Sequence, residues 1–404
     1  MMRLSRRALL VSAGALAGCT TVDRYRGPPA PEAAPALVPI RAQTDRIFDI
    51  AVCLRPFRAA GPRLDVERVG DTMVVHNYGH GGSGWSLSWG SGAVAVRKAM
   101  ADSPREVAVI GCGILGLTAA ILAQRAGAKV TIYARELLPG TPSARATGAW
   151  TPDSRIALAD AAPPDFAELW EEMARTAFKA HRNYLGLPGD PVEWTDFYSV
   201  SSDEAAPRSS NGAAAVPDLD FAEYRRRIAD LIPKPRRLAA DAAPFRASAV
   251  YRSENMIFNI SDYGHTLLND FFIAGGEFRY AEFHSPAEIA ALGKSVAINC
   301  TGYGARALWK DETVTPVRGQ IARLIPQPGV HYGLSYRHVY VVPRRDGIVV
   351  QDLTGGDMKG VGDSNEAVDR AEADGAVTTL AELFSPPLWR GGAPGPGAGG
   401  SEVS

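Results

Sequence analysis

The chain has 404 residues, of which 46% are hydrophobic and 22% are charged. This composition is typical of a soluble globular protein and excludes a disordered or fibrous chain, and the length predicts about two domains. The 43 lysines and arginines nearly balance the 44 aspartates and glutamates, which leaves a formal net charge of −1. Because this balance attracts no polyanion and no block of basic residues stands out, we expect no nucleic-acid partner.

The N-terminus predicts an export signal over residues 1–19. Two consecutive arginines precede an apolar run over residues 9–16, and a small-residue box ends at Cys19. This order resembles a twin-arginine signal with a lipoprotein box, and the run is about half as long as a transmembrane helix requires. Residues 20–44 are rich in proline and alanine and predict a tether. We therefore expect a periplasmic or extracytoplasmic protein that is anchored to the membrane through a lipidated Cys19.

The remaining cysteines form no evident disulfide or metal framework. Cys53 stands alone, Cys112 lies inside a glycine turn and Cys300 ends an apolar strand. No metal-ligand spacing such as C-x-x-C occurs, so we expect no bound metal. The three side chains are best interpreted as small buried hydrophobic groups.

Residues 106–133 predict a dinucleotide-binding βαβ unit. A β-branched run is followed at once by the glycine turn Gly111–Gly116, an alanine-rich helix and a second strand over 129–133. In this motif the glycines make the tight turn, let the backbone approach a pyrophosphate and let the helix pack close to the strand. The acidic residue expected about 20 positions further on is Glu136, next to Arg135. The predicted contacts of the turn are Gly111, Cys112, Gly113, Ile114, Leu115 and Gly116.

A second glycine-rich block precedes this unit. Residues 79–84 contain four glycines within six residues, and a helix of small residues follows as far as Met100. This density of glycine predicts a backbone held very close to a flat or charged group. A glycine-rich hairpin is the alternative, but it does not account for the histidine, asparagine and tyrosine side chains placed among the glycines.

These blocks together resemble the D-amino-acid oxidase family, which includes D-aspartate oxidase. The stretch His76–Gly84 matches the family's H-N-Y-G-H-G-G-x-G signature, which lies on the flavin ring. The resemblance covers most of residues 46–383 and implies an FAD cofactor. It also implies an α/β fold with a Rossmann-like FAD-binding domain and a second, sheet-based substrate domain. The other matching blocks are Leu54–Arg58, Gly148–Trp150, Asn299–Gly302, Arg318–Gln320, and Tyr336 with Tyr340–Pro343.

The order of the blocks differs from that of the family. There the glycine-rich flavin block and the Arg-Pro strand follow the GxGxxG strand, whereas here they precede it. We therefore predict a circularly permuted chain, which is plausible because domain termini often lie close together. The predicted divisions are an FAD-binding domain over 45–192 (flavin block 53–100, then the unit 106–150), substrate-domain parts over 193–260 and 310–385, a return of the FAD-binding domain over 261–309, and a Gly/Pro-rich tail over 386–404.

The resemblance also implies roles for individual residues. Arg55 grips the substrate carboxylate, a task that suits a guanidinium because it can bind both oxygens at once. Tyr340 is the second carboxylate ligand, Tyr336 lies over the pocket as part of its lid, and the carbonyl of Gly82 accepts from the substrate amine. The run 225–227 is interpreted as a solvated face. Further implied cofactor contacts are Thr141, Ser143, Gly148, Ala149, Thr301, Gly302, Gly81, Gly84, Trp85 and Ser86.

The activity implied by the resemblance is FAD-dependent oxidative deamination of D-amino acids. Hydride passes from Cα to flavin N5, the imino acid hydrolyses to a 2-oxo acid and ammonia, and oxygen is reduced to hydrogen peroxide. Two alternatives stay open: a related amine or amino-acid dehydrogenase that passes electrons to a membrane carrier, and a non-catalytic flavin-binding lipoprotein. The presence of Arg55 and Tyr340 favours an enzyme. The side chain of the substrate could be neutral, basic or acidic.

Overall fold

The structure is a computed structural model that describes residues 37–201 and 219–390. The predicted export signal, residues 20–36 of the predicted tether and residues 391–404 of the predicted tail lie outside the described residues, so these interpretations stay predictions. Among the described residues, no helix is both long enough and apolar enough to cross a bilayer.

Fourteen strands and seven helices are found in the described part of the chain. The strands are β1 (Ile47–Phe57), β2 (Val66–Val69), β3 (Thr72–His76), β4 (Glu106–Ile110), β5 (Lys129–Ala134), β6 (Val192–Ser201), β7 (Arg236–Arg237), β8 (Ala249–Phe258), β9 (Glu277–Tyr280), β10 (Val296–Asn299), β11 (Thr315–Leu324), β12 (Tyr332–Tyr336), β13 (Val339–Arg344) and β14 (Gly347–Asp352). The helices are α1 (Gly84–Ala99), α2 (Ile114–Arg125), α3 (Phe166–Arg182), α4 (Ile260–Ile273), α5 (Pro286–Ala290), α6 (Ala305–Leu308) and α7 (Arg370–Leu383).

The smaller sheet has six strands in the order β2-β3-β10-β4-β5-β9, and all neighbours are parallel except β2 and β3. Its centre is the predicted βαβ unit, in which β4 and β5 pair in register from Glu106 opposite Lys129. Helices α1 and α2 pack together, and the apolar strands and helices form one large buried core. Because the strands are parallel, the loops after β4 and β10 open at the same edge of the sheet, where ligands of such folds bind.

The larger sheet has eight strands in the order β1-β11-β14-β13-β12-β6-β8-β7. The strands predicted near residues 193–200, 318–324, 339–342 and 347–351 all belong to it. The prediction that residues 45–57 belong to the FAD-binding domain is wrong. These residues form β1, which pairs antiparallel with β11 along almost its whole length, so long-range backbone hydrogen bonding places β1 in the larger sheet.

Both ends of the folded region extend beyond the predicted limits. Ile40 is 3% exposed and packs in the core of the larger sheet. Tyr332 also donates a hydrogen bond from its hydroxyl to the carbonyl of Val38, so the predicted tether does not continue through residues 37–44. At the other end, the ring of Trp389 packs at a tilt against that of Phe245, with ring centroids 5.5 Å apart. The first residues of the predicted tail are therefore part of the fold.

Helix α3 and the buried cysteines agree with the sequence predictions. Periodic apolar residues between 164 and 184 predict a helix with a buried stripe, and α3 buries Phe166, Trp170, Met173, Ala174, Ala177, Phe178 and His181. The three cysteines in the described part of the chain are buried and free, as expected for small hydrophobic side chains.

His181 is the one titratable residue in the buried stripe of α3. Its Nδ1 lies 2.9 Å from the hydroxyl of Tyr263, which also accepts a hydrogen bond from Nε1 of Trp89. Burial lowers the pKa of His181 to about 3. The ring is therefore neutral in the folded protein at neutral pH, whereas in the unfolded chain it binds a proton below about pH 6.5.

This difference predicts a pH-dependent share of stability. Between about pH 6.5 and pH 3 the unfolded state binds the extra proton, so stability falls as the pH falls through this window. His181→Gln keeps a polar side chain but removes the titration. Wild-type protein should lose roughly 2 kcal/mol more free energy of unfolding than the variant between pH 6.5 and pH 5. Urea unfolding at the two pH values measures the difference.

The exposed His265 on α4 provides the matched control. His265→Gln should leave the pH dependence of wild-type protein unchanged. Equal losses for wild type and His181→Gln would contradict the assignment of a buried neutral ring at position 181.

Candidate active site

A cavity of about 1440 Å³ lies where the two sheets meet. One end is lined by the loops that follow β4, β5 and β10 of the smaller sheet, and the other end by residues of β1, β6, β8 and β13 of the larger sheet. The glycine-rich block after β3 lies between these ends. The topology therefore brings the two motifs that are most distinctive in the sequence onto one elongated cavity.

The glycine turn after β4 is held tightly against the strand beside it. Gly111 has a positive φ of +101°, and a Cβ built there would lie 2.6 Å from the carbonyl oxygen of Cys300. A Cβ at Gly116 would overlap the carbonyl oxygen of Gly111, so this glycine allows α2 to pack closely, as the motif predicts. Gly113 is the N-cap of α2 and has no side chain to cap it, while Ser143 Oγ accepts a hydrogen bond from the amide of Ile114 at 3.0 Å.

This end of the cavity suits a diphosphate. The positive end of the α2 dipole faces it, and backbone N–H groups are the usual partners of phosphate oxygens at such a turn. Burial raises the pKa of the Cys112 thiol to about 12. The thiol that lines the turn is therefore uncharged at neutral pH and does not repel an anion.

The glycine-rich block forms what we call the glycine loop, His80–Gly84. It packs against a facing segment, Thr151–Arg155. The amide of Gly82 donates to the carbonyl of Ser154 at 3.0 Å, and Ser83 Oγ donates to the same carbonyl at 3.0 Å. Gly81 has a φ of +53°, and a Cβ there would overlap the carbonyl oxygen of Arg155. The sequence places glycines here because neither the backbone angle nor the space accepts a side chain.

The helix that follows the glycine loop also points its N-terminus at the cavity. Ser83 is the N-cap of α1 and makes no side-chain capping hydrogen bond, and the first helical residues, Gly84 and Trp85, line the cavity. The uncapped amides and the α1 dipole favour negative charge at this position. A flat ring system that gains negative charge on reduction would fit beside this backbone.

The two histidines near the glycine loop have structural surroundings. His76 Nε2 lies 3.1 Å from Glu67 Oε2, and its Nδ1 lies 3.0 Å from the side-chain nitrogen Nδ2 of Asn299. The ring therefore bridges two elements away from the cavity. His80 lines the cavity, but burial lowers its pKa to about 3. Neither arrangement provides a strong base at neutral pH. This agrees with the sequence analysis, which assigned neither histidine as an acid–base catalyst.

Arg55 projects from β1 at the opposite end of the cavity. A Cβ at Gly319, on the paired strand β11, would overlap the Arg55 guanidinium, so glycine at 319 leaves room for that group. The described residues offer Arg55 no ion-pair or hydrogen-bond partner. A guanidinium that lines a cavity without a protein counter-ion is suited to an anionic ligand, and a carboxylate can bind it through two hydrogen bonds.

Tyr340 lines the same cavity as Arg55. Its ring packs against Phe197 with centroids 5.1 Å apart. Burial raises the pKa of Tyr340 to about 12. The hydroxyl is therefore protonated at neutral pH and can donate a hydrogen bond to an anion held by Arg55.

Tyr336 is not at the cavity, so its predicted role in a lid is wrong. Its side chain is 2% exposed and lies in the core of the larger sheet. The reason is the register of the β12–β13 hairpin, in which Tyr336 pairs with Val339 and Ser335 pairs with Tyr340. Paired residues share a face of the sheet and neighbours alternate, so the two tyrosines lie on opposite faces.

Ser86 also has a different environment from the one predicted. It does not line the cavity, and its Oγ accepts a hydrogen bond from the amide of Thr151 at 2.7 Å. Ser86 therefore holds the facing segment in place and does not reach the flavin position. Apart from Gly116, Ser86 and Tyr336, all predicted site residues line the cavity, namely Arg55, Gly81, Gly82, Gly84, Trp85, Gly111, Cys112, Gly113, Ile114, Leu115, Arg135, Glu136, Thr141, Ser143, Gly148, Ala149, Thr301, Gly302 and Tyr340.

Sequence reasoning missed four arginines that the structure adds to the cavity, Arg145 among them. The run 225–227 was expected to be a solvated face, and all three side chains are exposed, with Arg227 paired to Glu168 and Glu171. Arg225 and Arg226 line the cavity, and so does Arg155. A short 3-10 turn directs consecutive side chains differently, so no sequence periodicity separates the three members of the run.

Comparisons with known proteins identify the family of the chain. Residues 106–396 match the family described as FAD dependent oxidoreductase, DAO. The chain belongs to the DAO family. The D-amino-acid oxidase of Streptomyces coelicolor is 29% identical over 234 residues, which cover 56% of this chain and 61% of that protein. The D-amino-acid oxidase of Rubrobacter xylanophilus is 32% identical over 241 residues, which cover 58% of this chain and 65% of that protein.

The matched region therefore spans slightly less than two thirds of each of these two relatives. Among solved structures, glycine oxidase from Bacillus cereus is similar over 70% of this chain and 79% of that chain, with a TM-score of 0.45 and 16% sequence identity. The family that the chain belongs to is described as FAD-dependent oxidoreductases. The two helix N-termini, the two close glycine contacts and the neutral thiol fit FAD.

The glycine loop provides a direct test of the FAD position. Gly81→Ala adds a methyl group where the backbone has a positive φ and where the carbonyl of Arg155 leaves no space. The loop must shift, and we expect the affinity for FAD to fall by about tenfold or more, equivalent to about 1.4 kcal/mol. The ratio of flavin to protein absorbance after purification, and titration of the apoprotein with FAD, measure the loss.

Gly70→Ala is the control, because it adds a Cβ at a positive φ without a steric overlap. Gly70 has a similar φ of +58°, but no heavy atom lies within 4 Å of the added Cβ. This variant should bind FAD like wild type. If Gly81→Ala also binds FAD normally, the glycine loop does not contact the cofactor.

Proposed function

We propose that this DAO-family enzyme oxidises D-amino acids, with dioxygen as the electron acceptor. The observation that supports the proposal most strongly is the Arg55 guanidinium, which lines the end of the FAD cavity without a protein partner among the described residues. A substrate carboxylate satisfies it. Tyr340 provides a protonated hydroxyl in the same cavity, and the glycine loop provides backbone groups there.

The reaction balances as a two-electron oxidation. Hydride leaves the substrate Cα and a proton leaves its amine, so that an imino acid remains, and water hydrolyses this product to a 2-oxo acid and ammonia. FAD, when bound, supplies the acceptor for the two electrons and passes them on to dioxygen, which gains two protons to form hydrogen peroxide. The protein is not required to supply a strong base if the amine enters unprotonated.

The residues of the chain act by positioning and by electrostatics. Arg55 binds both oxygens of the carboxylate and fixes the orientation of Cα. The Tyr340 hydroxyl donates a further hydrogen bond to the same carboxylate, and the carbonyl of Gly82 accepts one from the amine. This three-point arrangement distinguishes the two enantiomers, since exchanging hydrogen and side chain at Cα turns the hydride away from the acceptor.

We also propose that the chain is a circular permutation of the family order. The DAO match begins at residue 106, the first residue of β4, although β1 and the glycine loop line the same cavity earlier in the chain. Strand β3 pairs with β10, which follows it by about 220 residues.

A rearranged chain tests this proposal. It begins at residue 105 and runs to residue 390, continues through a flexible linker to residue 37, and ends after α1. This chain should bind FAD and turn over like wild type. A chain that folds but no longer binds FAD would contradict the proposal.

The activity is tested by anaerobic spectroscopy of the FAD-loaded protein. D-Alanine should bleach the visible absorbance of the oxidised flavin, whereas L-alanine should not. Admission of oxygen should restore the band and release hydrogen peroxide. A flavin that is bleached by L-alanine, or by no amino acid, would contradict the proposed function, and a reduced flavin that oxygen does not restore would point to another acceptor.

Arg55→Leu should raise the substrate concentration needed for half-maximal bleaching or slow the bleaching. The ratio of the bleaching rate to that concentration should fall by about 10²–10³-fold, because a charge-assisted double hydrogen bond is removed. Arg55→Lys should recover only part of the loss. Arg97 is an exposed arginine on α1 that pairs with Glu172, and Arg97→Leu is the matched control. If Arg55→Leu keeps wild-type kinetics and FAD content, Arg55 does not bind the carboxylate.

A further inference from the structure

Arg155 is a second arginine built into the substrate end of the cavity. It is only 8% exposed and lies beside the glycine loop. Its Nε donates to the carbonyl of Asp357 at 2.7 Å, and its Nη2 donates to the carbonyl of Gly356 at 3.1 Å. These two backbone contacts fix the plane of the guanidinium. Among the described residues, Nη1 has no hydrogen-bond acceptor.

The charge of Arg155 is only partly balanced by the protein. Nη2 lies 3.4 Å from Asp357 Oδ1, but the side chain of Asp357 is 67% exposed and therefore partly screened by water. Burial, together with the positive charge of the nearby Arg55, lowers the pKa of Arg155 to about 10. The group is still protonated at neutral pH, so two guanidinium charges lie close together in the cavity.

Arg225 adds to the positive charge at this end. It lines the cavity, and its charge acts on the hydroxyl of Tyr340. Within the described residues, neither Arg225 nor Arg55 forms an ion pair. Besides Asp357, the carboxylates Glu254 and Glu366 line the cavity, and Glu366 lies 3.9 Å from another arginine, Arg145. Arg225 is exposed, whereas Arg155 is buried. A substrate whose single carboxylate binds Arg55 therefore leaves the buried charge of Arg155 only partly compensated, which is costly in a cavity of low polarity.

We propose that Arg155 is a second anion-binding subsite and that it selects substrates whose side chain ends in a carboxylate. The inference rests on the proposed function, since it assigns the α-carboxylate to Arg55 and the side-chain carboxylate to Arg155. Two anionic groups on one substrate would match the two guanidinium groups, and Arg225 would contribute attraction during entry. The substrate class is then the acidic D-amino acids.

A purely structural role for Arg155 makes a different prediction. Its two backbone contacts tie the segment near Gly356 to the cavity wall. If this tie were its only role, a substitution would loosen the site for every substrate equally. A subsite for a second carboxylate requires that the loss depend on the charge of the substrate side chain.

The experiment compares D-aspartate with its neutral amide, D-asparagine, and with D-alanine, by anaerobic stopped-flow reduction of the FAD-loaded protein. D-Aspartate should reduce the flavin of the wild-type protein at least about tenfold more efficiently than D-asparagine does. Arg155→Gln should lower the efficiency with D-aspartate about 10- to 100-fold and change that with D-alanine by less than about twofold. Arg155→Lys should recover part of the preference.

Arg337 offers a control with matched backbone geometry. Its φ is +51°, close to the +47° of Arg155, but it pairs with Glu382 outside the cavity. Arg337→Gln should keep the wild-type preference. Equal loss for D-aspartate and D-alanine in Arg155→Gln, or a wild type that prefers D-asparagine, D-alanine or both over D-aspartate, overturns the inference. If no D-amino acid reduces the bound flavin, the proposed function is wrong, and the inferred subsite is then wrong as well.

Discussion

The close packing of the glycine loop against the segment Thr151–Arg155 is the constraint on which the site depends. Gly81 leaves no room for a side chain, and the amide of Gly82 is hydrogen-bonded to the facing segment. Ser86 fixes that segment from behind through the amide of Thr151. Because the segment ends in Arg155, the same contact that shapes the flavin position also sets the place of a cationic group in the substrate end.

The positive charge of the cavity has a different source at each end. At the nucleotide end the positive charge is supplied by the backbone at the N-terminus of α2, and the neighbouring Cys112 thiol is neutral. At the substrate end it is supplied by side chains that the protein does not neutralise. Backbone dipoles suit a cofactor that stays bound, since they require no conformational adjustment. Guanidinium groups suit a ligand that must be selected and exchanged in each turnover.

Local patterns in the sequence were sufficient to predict the βαβ unit, the buried stripe of α3 and most of the cavity lining, because each depends on residues that are near one another in the chain. The failures share a different cause. Tyr336 and Tyr340 could not be assigned to opposite faces without the register of their hairpin. Arg225 could not be separated from Arg227 without knowing how the turn sits on the cavity, and the sheet to which β1 belongs is decided by a partner far along the chain.

The pairing of β1 with β11 has a consequence for biosynthesis. Arg55 lies opposite Val317, so 262 residues separate the two partners of the strand that carries the substrate arginine. During translation β1 emerges first and has no partner until the ribosome has made most of the chain. Such non-local pairing slows folding and leaves an apolar strand edge exposed in the meantime. The nascent protein should therefore depend on chaperones to shield its first strand, and its substrate end can be completed only after synthesis is almost finished.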